Sequence, residues 1–249
     1  MNINFLDKTI LITGATRGIG KTLAEELLQL GANLILTGTN ATEIAESNNI
    51  STFNKEKKKY FCVDFTDTNS IECFFDEINQ ITKIDCLVNN AGINILNSID
   101  NIKLNDWERM LAVNLTAPLF LTSYISKKMK LHNYGRIVNI GSIFGSISKE
   151  KRVCYTSTKY GVHGISVSSS IDLAQHNILI NTISPGFVMT DLTKKNLTTS
   201  EIEDLQTKIP IRRFAKTHEI TKPIIFLLSS YNTYLTGQNI IIDGGFTIV

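Results

Sequence analysis

The sequence predicts an α/β fold in which one parallel sheet carries helices on both faces. Short apolar runs alternate with longer helix-like segments along the whole chain, and this alternation is typical of strand–helix–strand units. The apolar runs show no polar alternation, which is expected of strands that are covered on both sides. No linker, break in composition or repeat divides the chain. We therefore predict a single domain over residues 1–249.

Seven short runs rich in Ile, Val and Leu are the predicted strands. In chain order they are Thr9–Thr13, Leu34–Thr37, Lys59–Val63, Asp85–Asn89, Arg136–Ile140, Leu179–Ile183 and Asn239–Ile242. The helix-like segments between them are Gly20–Leu30, Asn69–Thr82, Asn105–Leu131, Thr156–Gln175 and His218–Ser229. A further helix is predicted to begin at Ser200, which forms a capping-box pattern with Glu203. This helix belongs to Leu192–Lys208, a segment predicted to be a mobile lid over the substrate.

The composition excludes several classes of protein. The chain is 43% hydrophobic, enough for a large core, and its formal charge of +2 is too small for a nucleic-acid-binding surface. No apolar stretch reaches the roughly 20 residues that a membrane helix requires, and the N-terminus lacks the pattern of a signal peptide. The four cysteines have no metal-like spacing and are expected to be buried, reduced thiols. We therefore predict a cytoplasmic protein without a metal, nucleic-acid or membrane partner.

A glycine-rich turn follows the first strand. Gly14, Gly18 and Gly20 lead directly into a predicted helix, where glycines allow a tight turn and a close approach to a dinucleotide pyrophosphate. The spacing is G-x-x-x-G-x-G rather than G-x-G-x-x-G, so a plain structural turn remains an alternative for this feature alone.

The end of the second strand favours NADP(H), with NAD(H) as the alternative. NAD-preferring sites place a carboxylate there for the ribose 2′-hydroxyl, but Leu36–Asn40 contains no acidic residue. Arg17 offers a planar group with several donors for a 2′-phosphate, unless it is only a surface cation. Asp64, after the third strand, could accept a hydrogen bond from the adenine amine. These residues all follow strand carboxyl ends, where open parallel sheets bind ligands.

A second group of residues has the chemistry for proton transfer to a carbonyl oxygen. Tyr155 and Lys159 stand one helical turn apart, after Ser142. Tyr155 is predicted to exchange the proton, Lys159 to lower the tyrosine pKa and bind the nicotinamide ribose, and Ser142 to hold the substrate oxygen. Asn114, a polar residue inside the long helix, could hold a water that passes protons to Lys159. Singly, each residue also has a purely structural interpretation.

Together these motifs resemble the short-chain dehydrogenase/reductase family. They are T-G-x-x-x-G-x-G at Thr13–Gly20, N-N-A-G at Asn89–Gly92, Asn114, Ser142, Y-x-x-x-K at Tyr155–Lys159 and P-G at Pro185-Gly186. The resemblance covers essentially the full length. It implies a Rossmann-type, doubly wound, seven-stranded parallel sheet in three α/β/α layers, a catalytic set of Asn114, Ser142, Tyr155 and Lys159, and a homotetramer.

The resemblance also completes the predicted cofactor site, in which Val188 and Thr190 would contact the nicotinamide carboxamide. The predicted cofactor-binding residues are Gly14, Thr16, Arg17, Gly18, Ile19, Gly20, Thr39, Asp64, Phe65, Asn90, Ala91, Gly92, Tyr155, Lys159, Pro185, Gly186, Val188 and Thr190.

Two substrate classes remain open. The chain is most similar to the 3-oxoacyl-acyl-carrier-protein reductases, through Arg17 with Thr39 and the ending Gly237-Gln238…Asp243-Gly244-Gly245. However, Asn133 and His176 stand where those reductases carry basic residues for the carrier protein, which leaves that partner uncertain.

The segment before Tyr155 favours a different substrate. Lys149, Lys151 and Arg152 replace small neutral residues of the resembling reductases, and Arg212 and Arg213 follow later in the chain. Cations at the entrance would favour a phosphorylated or nucleotide-linked sugar in cell-surface glycan synthesis, with Ser142, Lys149, Arg152 and Tyr155 as substrate contacts. A loop that simply faces water is the alternative. A third hypothesis is a non-catalytic NADP-binding regulator, which the intact catalytic set disfavours.

Overall fold

A computed structural model describes residues 3–53, 57–190, 193 and 198–249. Its central feature is a seven-stranded sheet in the order β3-β2-β1-β4-β5-β6-β7, in which every neighbouring pair is parallel. The strands are β1 Thr9–Ile12, β2 Asn33–Gly38, β3 Lys58–Cys62, β4 Cys86–Asn89, β5 Gly135–Ile140, β6 Ile178–Pro185 and β7 Asn239–Ile242. All seven strand predictions are confirmed, with bounds shifted by at most two residues.

Helices cover both faces of this sheet. They are α1 Gly18–Gln29, α2 Ala41–Phe53, α3 Thr68–Asn79, α4 Leu104–Leu111, α5 Ala117–Lys130, α6 Val153–Leu173, α7 Thr199–Lys208 and α8 Thr217–Leu228. Along β1, Ile10 and Ile12 pack with buried residues of α1 and α8, whereas Leu11 packs with those of α3 and α5. This alternation follows from the two-residue period of a strand. It confirms the doubly wound, three-layer prediction.

The segment predicted as one helix over Asn105–Leu131 is not uniform. α4 ends at Leu111, a π-helical turn covers Ala112–Thr116, and α5 follows. A π turn holds one residue more than an α turn, and such turns occur often at functional sites. Apolar periodicity alone does not reveal the extra residue.

Two helical features differ from the prediction. The helix α2 was not predicted, because its sequence ATEIAESNNISTF has no apolar stripe, and among its described side chains only Ile44 and Ser51 are buried. The capping box of α7 is formed by Thr198 and Glu201 rather than by Ser200 and Glu203. The lid prediction for Leu192–Lys208 falls partly on residues 192 and 194–197, which lie outside the described residues.

The cysteine prediction is half wrong. All four thiols are free, but Cys62 and Cys73 are exposed, and only Cys86 and Cys154 are buried. Within the described ranges, no helix is long and apolar enough to cross a membrane. The same residues contain no cluster of three or more His, Cys, Asp or Glu side chains that could hold a metal ion.

Candidate active site

The predicted site residues meet at the carboxyl ends of the strands, where the sheet order changes direction. β1 lies between β2 and β4, so the connections after β1 and β4 leave toward opposite faces and open a crevice between them. Gly14, which follows β1, approaches Ala91, which follows β4. A Cβ added to Gly14 would lie 2.9 Å from the Ala91 Cα. The crevice therefore joins the glycine-rich turn to the N-N-A-G segment.

The glycine-rich turn needs glycine for two different reasons. Gly14 and Gly18 have positive φ angles of 63° and 58°, a conformation that side chains rarely adopt. Gly20 lies in α1, but a Cβ there would collide with the Gly14 carbonyl oxygen and the Asn90 Nδ2. The turn is thus closed against itself and against the segment after β4.

Asn90 fastens the turn and does not reach into open space. Its Nδ2 donates to the carbonyl oxygens of Thr13 and Gly14, each at 2.9 Å. The backbone N–H groups of Asn90 and Ala91 both donate to the Thr13 hydroxyl at 3.0 Å. Asn90 and Ala91 were predicted to bind the cofactor, and that stays a prediction. The structure shows that both residues brace the turn that would hold it.

The first turn of α1 is suited to an anion. Arg17 occupies the N-cap position without a side-chain capping bond, and the first turn contains no acidic residue. The amide groups and dipole of this helix end therefore favour an anion, with no acidic side chain in the first turn to neutralise them. A dinucleotide pyrophosphate fits this end of the site, since the glycines allow the tight turn that presents these amides.

The predicted 2′-phosphate residues lie at the mouth of the crevice. Arg17 and Thr39 are exposed. The Thr16 side chain packs so closely over Gly38 that a Cβ on Gly38 would collide with it. This contact brings the turn that carries Arg17 against the end of β2, where Thr39 follows. A phosphate at this position would meet a guanidinium and a hydroxyl, and no carboxylate from Leu36–Asn40.

At the adenine end, the two predicted residues differ. The Asp64 carboxylate is exposed, and its Oδ1 accepts hydrogen bonds of 2.8 Å from the Thr66 amide and hydroxyl. It remains able to accept a further hydrogen bond through Oδ2. The Phe65 side chain is buried in the core on the α3 face. A cofactor contact of Phe65, which stays a prediction, would therefore be made by its backbone.

Asn114 lies in the π turn, where its buried side chain is hydrogen-bonded to two segments. It forms a pair of 2.8 Å hydrogen bonds with the Ile93 backbone, accepting from its amide and donating to its carbonyl. Its Nδ2 also donates to the Thr158 hydroxyl at 3.2 Å, and that hydroxyl donates to the Tyr155 carbonyl at 2.8 Å. Asn114 therefore couples the segment after β4 to the helix that carries Tyr155. A lone pair of its Oδ1 remains for the water that the sequence predicted.

Ser142, Tyr155 and Lys159 are brought together as predicted. Ser142 directly follows the short link after β5 and accepts a 3.2 Å hydrogen bond from the Phe144 amide. Its side chain also lies close enough to the Tyr155 phenol to lower the pKa of that group. The Lys159 Nζ lies 5.7 Å from the centre of the Tyr155 ring and donates to the Ile140 carbonyl at 2.8 Å.

Burial dominates the protonation of both titrating groups. It raises the pKa of Tyr155 above its ordinary value, and the Ser142 hydrogen bond and the Arg152 charge oppose it. It also lowers the pKa of Lys159 to about 8. The sequence predicted that Lys159 lowers the tyrosine pKa. In the protein without cofactor, Arg152 is the cation that lowers the pKa of Tyr155, whereas the Lys159 Nζ donates to the Ile140 carbonyl.

The segment after β6 closes the crevice from the other side. The Gly186 amide donates to the Ile242 carbonyl at 2.9 Å, and Val188 pairs with Ala215 in an isolated bridge. Val188 is buried, and a Cβ on Gly18 would lie 3.7 Å from the Thr190 Cγ2. Thr190 therefore borders the glycine-rich turn, in keeping with the predicted contact to a cofactor.

Of the predicted cations at the substrate entrance, the described residues place Arg152 beside the proton-transfer group. Arg213 forms two hydrogen bonds to the Glu219 carboxylate at 2.6 and 2.7 Å, which lower the pKa of Glu219 to about 2. Arg212 donates to the Thr207 carbonyl. Lys149 is exposed, and the structure gives no contact between its side chain and the site. Arg152 alone is close enough to act on the Tyr155 pKa.

Several residues that organise the site were not predicted. Thr13 anchors two amides, Thr158 links Asn114 to Tyr155, and Phe144 packs edge-on against the Tyr155 ring at 6.3 Å between centroids. Asn89 and Asn139 are buried and share a 2.7 Å hydrogen bond beneath the site. Polar residues inside apolar strands were the available indication, since such groups must be hydrogen-bonded when buried.

Comparison with known proteins agrees with this geometry. The family model described as short chain dehydrogenase matches residues 8–201. The 3-oxoacyl-[acyl-carrier-protein] reductase FabG of Buchnera aphidicola is 37% identical over 242 residues, 96% of each chain. FabG of Aquifex aeolicus is 37% identical over 254 residues, 98% of this chain and 99% of the relative.

A solved structure shares the fold over nearly the whole chain. It is gluconate 5-dehydrogenase from Burkholderia cenocepacia in complex with NADP and tartrate, with a TM-score of 0.91, 27% identity and coverage of 99% of this chain and 97% of that one. The chain belongs to the short-chain dehydrogenase family, and the family resemblance inferred from the motifs is confirmed. It is accordingly an oxidoreductase, similar in sequence to the FabG reductases.

Proposed function

We propose that this protein interconverts a ketone and a secondary alcohol and uses NADP(H) in preference to NAD(H). The observation that carries the proposal is the Ser142–Tyr155–Lys159 group at the carboxyl ends of the strands, in the crevice that the glycine-rich turn borders. Proton transfer and dinucleotide binding thus share one crevice. NADP in the solved gluconate 5-dehydrogenase supports the same cofactor here.

The residues divide the chemistry as follows. NADPH would supply the hydride that reduces the carbonyl carbon. The Tyr155 hydroxyl donates the proton to the carbonyl oxygen, or removes it in the reverse direction. Ser142 holds that oxygen and stabilises its developing charge. Lys159 replaces the proton on Tyr155 through Asn114-bound water and bonds the nicotinamide ribose.

The cofactor preference depends on the outer end of the crevice. Arg17 and Thr39 would bind the 2′-phosphate, and the absence of a carboxylate after β2 removes a repulsion against it. The part of the cofactor that lies deeper in the crevice would be contacted by the glycine-rich turn, by Gly92 and by Thr190. NAD(H) remains usable, because every contact except that of the 2′-phosphate is shared.

The first substrate candidate is a 3-oxoacyl thioester, as the likeness to the FabG reductases supports. Whether an acyl carrier protein delivers it is a separate question, because Asn133 and His176 offer no firm positive charge to an acidic carrier. The second candidate is an anionic carbohydrate such as a phosphorylated or nucleotide-linked sugar. The position of Arg152 beside Tyr155 and the tartrate in the solved relative favour it.

A substrate panel with both cofactors tests this proposal. Oxidation of NADPH should be measured with acetoacetyl thioesters, keto sugars, keto acids and sugar phosphates, and each reaction should be repeated with NADH. We expect turnover with at least one carbonyl class and a higher kcat/KM for NADPH. An enzyme that bound NADPH but reduced none of these compounds would contradict the proposal and support the regulator hypothesis.

We also propose a homotetramer in the cytoplasm. Large apolar side chains are exposed on neighbouring helices: Phe120 of α5 is 58% exposed, and Ile171 of α6 is 76% exposed. Exposed apolar patches of this kind mark protein interfaces. Sedimentation analysis should give four times the 27.8 kDa chain mass, and a monomer at micromolar concentration would contradict this assembly.

A further inference from the structure

Arg152 is a basic residue next to the proton-transfer group, and no ion pair compensates its charge within the described residues. It immediately precedes α6, so its Cα is fixed close to Tyr155 on the first turn of the same helix. Its backbone is held from the other side by a parallel bridge to Asn97, and the Asn97 amide donates to the Lys151 carbonyl at 3.3 Å. The position of Arg152 is therefore set by two elements.

The Arg152 side chain is oriented by an aromatic ring. Its guanidinium carbon lies 5.2 Å from the centre of the Phe144 ring, and Phe144 in turn meets the Tyr155 ring edge-on. A guanidinium stacked on a ring keeps its in-plane N–H donors free for another partner. Phe144 is itself buried. The contact therefore places the guanidinium beside a buried apolar ring, which offers no carboxylate to its N–H donors.

Within the described part of the chain, no protein group is hydrogen-bonded to the N–H donors of the Arg152 side chain. The Arg152 Nε is buried without a hydrogen-bond partner, and none of the ion pairs found in the described residues involves this side chain. Asp106, on the neighbouring helix α4, is bound by the Asn97 Nδ2 at 3.0 Å. A buried donor without a partner is costly and calls for an explanation, such as a ligand that completes it.

We propose that Arg152 binds an ionised carboxylate or phosphate of the substrate, close to the carbonyl that is reduced. This inference rests on the proposed function, because it assumes that the carbonyl is held by Ser142 and Tyr155. It selects small keto acids and keto sugars that carry an anionic group near the reacting carbon. An acyl thioester has no charge at that position, so it would leave the guanidinium unpaired.

Burial gives this contact its strength. Partial burial lowers the pKa of Arg152, and the nearby Tyr155 opposes that effect, so the guanidinium is both desolvated and charged. An oxyanion placed against it would replace lost hydration with charge-assisted, bidentate hydrogen bonds. Lysine would keep the charge but lose the planar fork.

Binding measured without turnover tests the inference independently of the reaction. The NADP-loaded enzyme carrying Tyr155→Phe should be titrated with tartrate, with glycerol 2-phosphate and with threitol, the uncharged counterpart of tartrate. Adding Arg152→Gln should weaken binding of the preferred anion about 10- to 100-fold, and Arg152→Lys should give an intermediate loss. Comparing tartrate with the phosphate ester identifies the anion. Arg109→Gln makes the same chemical change on an exposed part of α4 and should leave all three affinities unchanged.

Turnover separates this inference from the proposed function. In the single Arg152→Gln variant, KM for a charged carbonyl should rise about 10- to 100-fold, whereas KM for its methyl ester should change far less. An effect on kcat through the Tyr155 pKa would fall on both substrates alike and leave the difference in KM intact. Equal increases in KM for charged and uncharged substrates, or anion affinities unaffected by Arg152→Gln, would overturn the inference and leave the reductase function standing. Arg152-dependent anion binding without turnover of any carbonyl would support the anion site and contradict the proposed reductase function.

Discussion

The two ends of the crevice are built by different means. At the cofactor end, backbone geometry forms the site. Gly14 and Gly18 have positive φ, and Gly20 packs directly against the Gly14 carbonyl. The Asn90 side chain holds the turn by hydrogen bonds to two of its carbonyl oxygens. At the proton-transfer end, buried side chains form the site. Burial raises the pKa of Tyr155 and lowers the pKa of Lys159 to about 8.

This difference determines how each end responds to substitution. A site made of backbone fails when an atom is added, whereas a site made of desolvated polar groups fails when an atom or a charge is removed. Changes at one end should therefore leave the property governed by the other end intact. The following predictions separate the two ends by measuring cofactor affinity, turnover and stability in the same variants.

The largest effect is expected from Tyr155→Phe. It removes only the hydroxyl beside Ser142, and loss of a general acid typically lowers the rate about 100- to 10,000-fold. We expect kcat to fall by that factor while the dissociation constant of NADPH, measured by fluorescence titration, changes little. Cofactor affinity that fell in parallel with kcat would show that the two ends are not separable.

Lys159→Met should stabilise the protein while it abolishes turnover. Burial depresses the pKa of Lys159 from 10.5 to about 8, so at pH 7 the charged lysine costs about 3 kcal/mol of folding free energy. The variant also loses the hydrogen bond to the Ile140 carbonyl, which reduces the gain in folding free energy by about 1 kcal/mol. A net gain of about 2 kcal/mol is expected in urea denaturation at pH 7.

The pH dependence of this gain has a definite sign. Between pH 8 and pH 10.5 the unfolded chain still binds the Lys159 proton that the folded protein has released. Wild-type stability therefore rises through this window, and the advantage of Lys159→Met should shrink as the pH rises. A stability difference that stayed constant from pH 7 to pH 10 would show that Lys159 is not desolvated as the structure indicates.

The same division explains what the sequence could predict. Glycine spacing and apolar runs report backbone geometry directly, so the strands, the crevice and the glycine-rich turn were predictable. The partner of each cation was not predictable, because it depends on side-chain geometry that residue type and spacing do not report. Arg213 pairs with Glu219, whereas the Arg152 guanidinium lies over the Phe144 ring. The π turn at Ala112–Thr116 and the polar helix α2 were missed because neither has an apolar period of its own.

A smaller effect is expected where an atom is added to the cofactor end. In Gly20→Ala the new methyl group would collide with the Gly14 carbonyl and the Asn90 side chain, and relieving such a contact should weaken NADPH binding about 30-fold. kcat at saturating NADPH should be nearly unchanged. Gly164→Ala is the matched control, since a Cβ at that position in α6 meets no atom within 4 Å. An equal loss of affinity in both variants would point to a general effect on helices instead of a closed turn.

The smallest effect tests the outer edge of the cofactor end, where the site depends on a side chain. Arg17 is exposed, so a hydrogen-bonded ion pair with the 2′-phosphate is partly screened by water, and Arg17→Gln should weaken NADPH binding only about 10-fold. NADH binding should not change, because NADH has no 2′-phosphate. Raising the salt concentration should reduce the wild-type preference for NADPH and leave the variant's preference unaltered. If Arg17→Gln weakened NADH and NADPH binding equally, Arg17 would be supporting the turn itself and not the 2′-phosphate. The structure of the cofactor end would then depend on a side chain as well as on backbone geometry.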